Sequence, residues 1–129
     1  MSKLSKMNVL INKLSDEPFK YGKADCFTFT NALVKEWHGK GYRHLHPYKS
    51  KSTAINYMET HGGIEALTTG TLGYPVATSQ LENGDVVSAE ISSGEVALGF
   101  VFRGYGYFKG HKQVMVAKLN KCRQGWKIK

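Results

Sequence analysis

At 129 residues, with 41% hydrophobic and 22% charged residues, the chain has the composition of an ordinary globular domain, and a second independent core would leave each part too small to bury enough surface. The longest apolar runs, such as residues 96–102, fall far short of the ~20 residues a membrane span needs, and Met1-Ser2-Lys3 opens no signal-peptide pattern, so a soluble protein made in a reducing cytoplasm is expected. The formal net charge of +8 attracts polyanions without choosing among nucleic acid, anionic lipid and an acidic protein surface; the two cysteines, Cys26 and Cys122, form neither a disulfide framework nor a metal-binding spacing.

Leu4, Met7, Ile11 and Leu14 recur at helical spacing until Ser15-Asp16-Glu17-Pro18 stops them, which predicts a first helix within residues 1–17. Asp25 is placed to cap a second helix that carries Cys26, Phe29, Leu33 and Trp37 on one face and ends at Gly39 and Gly41. Residues 41–51, polar and basic with His44, His46 and Pro47, read as a loop leading to Ser52, the cap of a third helix that ends at Gly62-Gly63; Ile64 to Leu67 add a further turn. From Gly73 the pattern changes. Asn83-Gly84 is a turn signal, and residues 85–90 and 96–102, separated by Ser92-Ser93-Gly94, form two hairpin-linked strands. Residues 105–108, 114–119 and 126–128 are further short strands, divided by Gly110, Asn120 and Gly125. Helices first and strands second predict an α+β fold in one domain over residues 1–129: an N-terminal helix in 1–17, a helical part in 18–72, and an antiparallel sheet in 73–129 packed against the Cys26 helix.

A cysteine on the first turn of a helix meets unpaired N–H groups and the positive end of the dipole, which favour thiolate over thiol. Lys23 adds positive potential, and Asp25 opposes it unless its carboxylate is occupied by the cap. Residues 19–29, Phe-Lys-Tyr-Gly-Lys-Ala-Asp-Cys-Phe-Thr-Phe, resemble the aromatic, Gly, Asp-Cys, aromatic signature of NlpC-type papain-like peptidases. Asn83-Gly84-Asp85-Val86-Val87 and Val96-Ala97-Leu98-Gly99-Phe100-Val101 resemble the first two strands of that family's sheet. Gly73-Tyr74-Pro75-Val76, the Ala-Leu-Gly-Phe strand and Gly125-Trp126-Lys127-Ile128 resemble a phage-encoded branch of the group with no assigned function, so that the resemblance covers residues 18–129. It implies a papain-like fold, Cys26 as nucleophile, and a histidine base opening the second strand, with a polar residue roughly a dozen positions later to orient the imidazole. Ala97 stands at the base position, and His111 falls where the third polar residue belongs, which makes it the candidate substitute base.

The other histidines point elsewhere: His44 and His46 lack further ligands at metal spacing, and His38 and His61 sit at helix ends, where the dipole accounts for them. Residues 103–108, Arg-Gly-Tyr-Gly-Tyr-Phe, are similar to the start of the RNA-binding octamer of RRM domains, but an RRM needs a helix before its last strand, and only a short turn precedes residues 114–119. The same glycines do not match a dinucleotide-binding spacing. Neither cofactor nor metal is expected. Without its base, the scaffold loses catalysis and keeps fold and docking, so the resemblance implies a phage virion protein, associated with the tail, made in the host cytoplasm and serving assembly with other tail proteins. Two alternatives stay open: an active thiol hydrolase cleaving peptidoglycan peptide amides, and a basic nucleic-acid-binding protein whose binding falls steeply with salt.

Overall fold

The computed structural model describes residues 2–20, 25–39, 63–92, 94–110 and 113–128. Among the described residues, three helices precede a five-stranded antiparallel sheet, the α+β layout that the order of sequence patterns predicts. Helix α1 (Lys3–Ser15) starts where the Ser2 hydroxyl accepts from the Ser5 amide at 3.1 Å, and it buries Met7 and Ile11, the two central residues of its apolar spacing. Helix α2 (Cys26–His38) is capped by Asp25 in a reciprocal box: the Thr28 amide donates to the Asp25 carboxylate, and the Asp25 amide donates to the Thr28 hydroxyl, both at 2.9 Å. It ends at Gly39, in the left-handed conformation at φ 82°. The expected helix from Ser52 to Gly62 lies outside the described residues.

Helix α3 (Ile64–Leu72) is longer than the single turn read from residues 64–67. Its second half, Thr68-Thr69-Gly70-Thr71, is poor in helix formers. Packing decides the outcome: Ile64, Leu67 and Thr68 are buried, and the Thr68 and Thr71 hydroxyls donate to the carbonyls of Ile64 and Leu67.

The strands are β1 (Val86–Ser92), β2 (Glu95–Phe102), β3 (Tyr105–Lys109), β4 (Val114–Lys118) and β5 (Gln124–Trp126), arranged β4-β3-β2-β1-β5. The last strand lies two residues earlier than residues 126–128, because Trp126 pairs with Val86 and Gln124 with Ser88, while the Ile128 amide turns to the Asp85 carboxylate at 3.3 Å. The fourth strand stops at Lys118, and Leu119–Lys121 form a short 3-10 turn. That turn begins the crossing from one edge of the sheet to the other. Four strand spacings measure ~19 Å, close to the full extended reach of so short a connection, so a flat sheet would not allow a helical turn within it. The sheet therefore curls. Val87, Ala89, Ala97, Val101 and Phe108 form an apolar cluster packed by Leu81, Leu119 and Cys122, which lie on the connecting segments.

A second cluster joins the sheet to the helices, with Phe27, Phe29, Leu33 and Val34 of α2 packed with Leu98, Phe100 and Phe102 of β2 and with Trp126. Each such fully buried side chain contributes about 1.5–3 kcal/mol of transfer free energy, so this contact sets the position of α2 on the sheet.

Candidate functional site

Cys26 is the first residue of α2, and the cap that starts the helix fixes its place. It packs against both apolar clusters, at the junction of the helix layer and the curled sheet, and part of the residue remains at the surface. Its thiol stands among apolar groups. Burial pushes its pKa up to about 12; a backbone hydrogen bond from Leu98 works in the opposite direction, and the negative charges of Asp25 and Glu95 raise it further. The helix terminus that favours thiolate in isolation is outweighed here by desolvation, the larger effect for an ion held among aliphatic and aromatic groups.

Ala97, at the position where a base is expected, lies on β2 opposite Ala89 and is buried. His111 lies outside the described residues, as do His44, His46, His61 and Lys23. His38, at the last turn of α2, is a structural tie: its Nε2 lies 2.8 Å from the carbonyl of Gly84, fastening the helix end to the turn before β1. Among the described residues, no group of three or more His, Cys, Asp and Glu side chains is arranged to hold a metal ion. No helix among them is long and apolar enough to cross a membrane.

Asp85, in the Gly-Asp-hydrophobic segment, is buried and serves as an anchor for the end of the chain. Its Oδ2 accepts from the Glu82 amide at 2.8 Å and meets the Lys127 ammonium at 2.7 Å, and its Oδ1 accepts from the Ile128 amide at 3.3 Å. Glu65, at the start of α3, receives the Ser88 hydroxyl at 2.8 Å and the Arg123 guanidinium at 3.0 and 3.2 Å. Burial alone would raise the Glu65 pKa, but the Arg123 and Ser88 hydrogen bonds and the Arg123 charge outweigh it and hold the carboxyl below its ordinary value.

The basic surface read from composition is thus partly internal. Lys109 is buried and donates to the carbonyls of Leu14, Ser15 and Glu17 at the end of α1, while Arg123 and Lys127 are paired with carboxylates. Lys109 follows Tyr105 and Tyr107 on one face of a period-two strand, and a lysine on a core-facing row was the available signal for this role. In the segment similar to the RRM octamer, Phe108 is buried in the sheet cluster, so it presents no face to a nucleic-acid base.

No curated protein matches the chain. The sequence matches, over residues 3–128, the family described as Domain of unknown function (DUF6950), and the chain belongs to that family.

Proposed function

We propose that this member of the DUF6950 family is a phage virion protein, associated with the tail, in which an NlpC-like papain scaffold has lost hydrolase chemistry and serves assembly. The state of Cys26 carries the reading: the thiol is held neutral between two apolar clusters, with a pKa of about 12, and Ala97 stands where a base would activate it. Acyl transfer to cysteine needs a thiolate and then an acid for the leaving amine. A protonated thiol beside an alanine supplies neither. What Cys26 does supply is packing, since it joins the helix layer to the concave face of the sheet. The virion assignment is supported by the resemblance of residues 18–129 to a phage-encoded branch.

The test is mass spectrometry of purified particles of a phage encoding this chain, alongside particles carrying Cys26→Ser. The reading expects the protein to be incorporated together with tail components, and infectivity to survive the substitution. A Cys26→Ser protein that is incorporated normally while infectivity collapses would restore the hydrolase reading, with peptidoglycan peptide amides as the substrate class.

A further inference from the structure

We propose that the outer edge of β4 is a docking site for an extended acidic segment of a partner protein, added antiparallel as a sixth strand. The ladder fixes which backbone groups are available. Two bonds bracket the β3–β4 pairing: the Leu119 amide donates to the Gly104 carbonyl at 3.3 Å, and the Gly110 amide donates to the Gln113 carbonyl at 3.0 Å. Hydrogen-bonded pairs alternate along an antiparallel ladder, so Met115 and Ala117 face β3 with their amides and carbonyls, and Val114, Val116 and Lys118 direct theirs outward. Among the described residues, the only bond to that outward row is from the Cys122 thiol to the Lys118 carbonyl at 3.4 Å. The opposite edge of the sheet is already covered, because Val76 exchanges two backbone bonds with Gly125 of β5.

The side chains beside the open row are apolar and cationic. Val116, which pairs with Tyr107, is 54% exposed, and Tyr105, which pairs with Lys118, is 39% exposed. Charge then selects the partner. Eight Lys and Arg and no Asp or Glu lie from residue 103 to the end, while the ten basic and ten acidic residues before them cancel, so the entire formal net charge of +8 belongs to this last segment. Lys109, Arg123 and Lys127 are engaged within the fold, whereas Arg103, Lys118 and Lys121 touch no carboxylate among the described residues. The Gly104–Leu119 bond sets Arg103 and the Lys118–Lys121 stretch at the same end of β4.

A second copy would bring the same cationic edge and no carboxylate to match it. A nucleic acid would meet the cations but leave the outward amides and Val116 unused. An extended segment with an apolar residue against Val116 and carboxylates near Lys118 satisfies all three features at once. This deepens the assembly reading and rests on it only for the event served, not for the chemistry of the edge.

The test uses the whole protein and a short fluorescent peptide, about eight residues long so as to overhang the strand, that alternates Val and Glu along the face it shares with Val116 and Lys118 and carries Thr between them. Binding should slow hydrogen exchange at the Val114 and Val116 amides. Val116→Pro should weaken binding at least about tenfold while leaving the fold intact, because it removes an amide the ladder does not use. Lys118→Glu combined with Lys121→Glu should weaken it as well, and a Val/Lys peptide should not bind. The proposal is overturned by no binding, by binding indifferent to Val116→Pro, by self-association through β4, or by full competition from a single-stranded oligonucleotide. Alkylation of Cys26 reads the assembly function separately. An active Cys26 with intact peptide binding removes that reading and leaves the edge; an inert Cys26 without peptide binding removes the edge alone.

Discussion

The ammonium of Lys109 donates to the carbonyl of Leu14 at 2.6 Å, joining β3 to the end of α1 across 95 positions of sequence. With the Ser15 and Glu17 carbonyls as further acceptors, the buried Lys109 side chain gathers the end of the helix, where the Leu14 carbonyl also takes the Glu17 amide at 3.3 Å. Replacing it with methionine keeps much of the volume and removes every donor. Lys109→Met should cost about 2–3 kcal/mol in urea denaturation, with exchange protection lost first at the amides of α1. Unchanged protection in α1 would show that the apolar contacts of Met7 and Ile11 dock the helix unaided.

Gly84 occupies a position that only glycine fits. Its φ is +94°, and a Cβ there would lie 2.2 Å from Cδ1 of Trp37 and 2.8 Å from Nε2 of His38. Gly84→Ala should therefore destabilise the protein by roughly 2 kcal/mol or more, through both the left-handed backbone and the displaced indole. Thermal unfolding followed by tryptophan fluorescence should show a lowered midpoint and an altered native emission.

The Glu65 carboxyl is held below its ordinary value by Arg123 and Ser88 against the opposing effect of burial. A carboxyl lowered on folding contributes stability above its unfolded pKa, and that contribution is lost as pH falls through the folded value. Arg123→Ala should raise the Glu65 titration midpoint, read by NMR, toward or above the ordinary 4.5. The acid limb of the stability curve should become correspondingly flatter.

Cys26 has the opposite sign. Its folded pKa of about 12 lies above the ordinary 9.0, so its contribution is complete below pH 9 and is lost as pH rises toward 12. In that window the native protein binds a proton that the unfolded chain has released, and stability should fall by up to about 1.4 kcal/mol per pH unit. Cys26→Ala should remove that slope in alkaline urea titrations, at some cost in packing.

The order of elements, the Asp25 cap and the place of Cys26 on the first turn of α2 were legible because each rests on local rules: spacing, capping preference and turn residues. The length of α3 was not, since its threonines carry a weak local preference that tertiary contacts override. Nor was the state of the thiol. The dipole at the helix start is a local property, but desolvation depends on which strands fold over Cys26, and that is set by residues about seventy positions later. The same holds for Lys109, whose charge suggests surface until the end of α1 is brought to it.

The most direct measurement is the pH dependence of Cys26 alkylation by iodoacetamide, read by mass spectrometry on the native protein with Cys122→Ser as background. A scaffold without hydrolase chemistry predicts negligible labelling from about pH 6 to pH 8, with full labelling on unfolding. Rapid labelling near pH 6, abolished by His111→Ala, would contradict it and identify an activated thiolate with its own base.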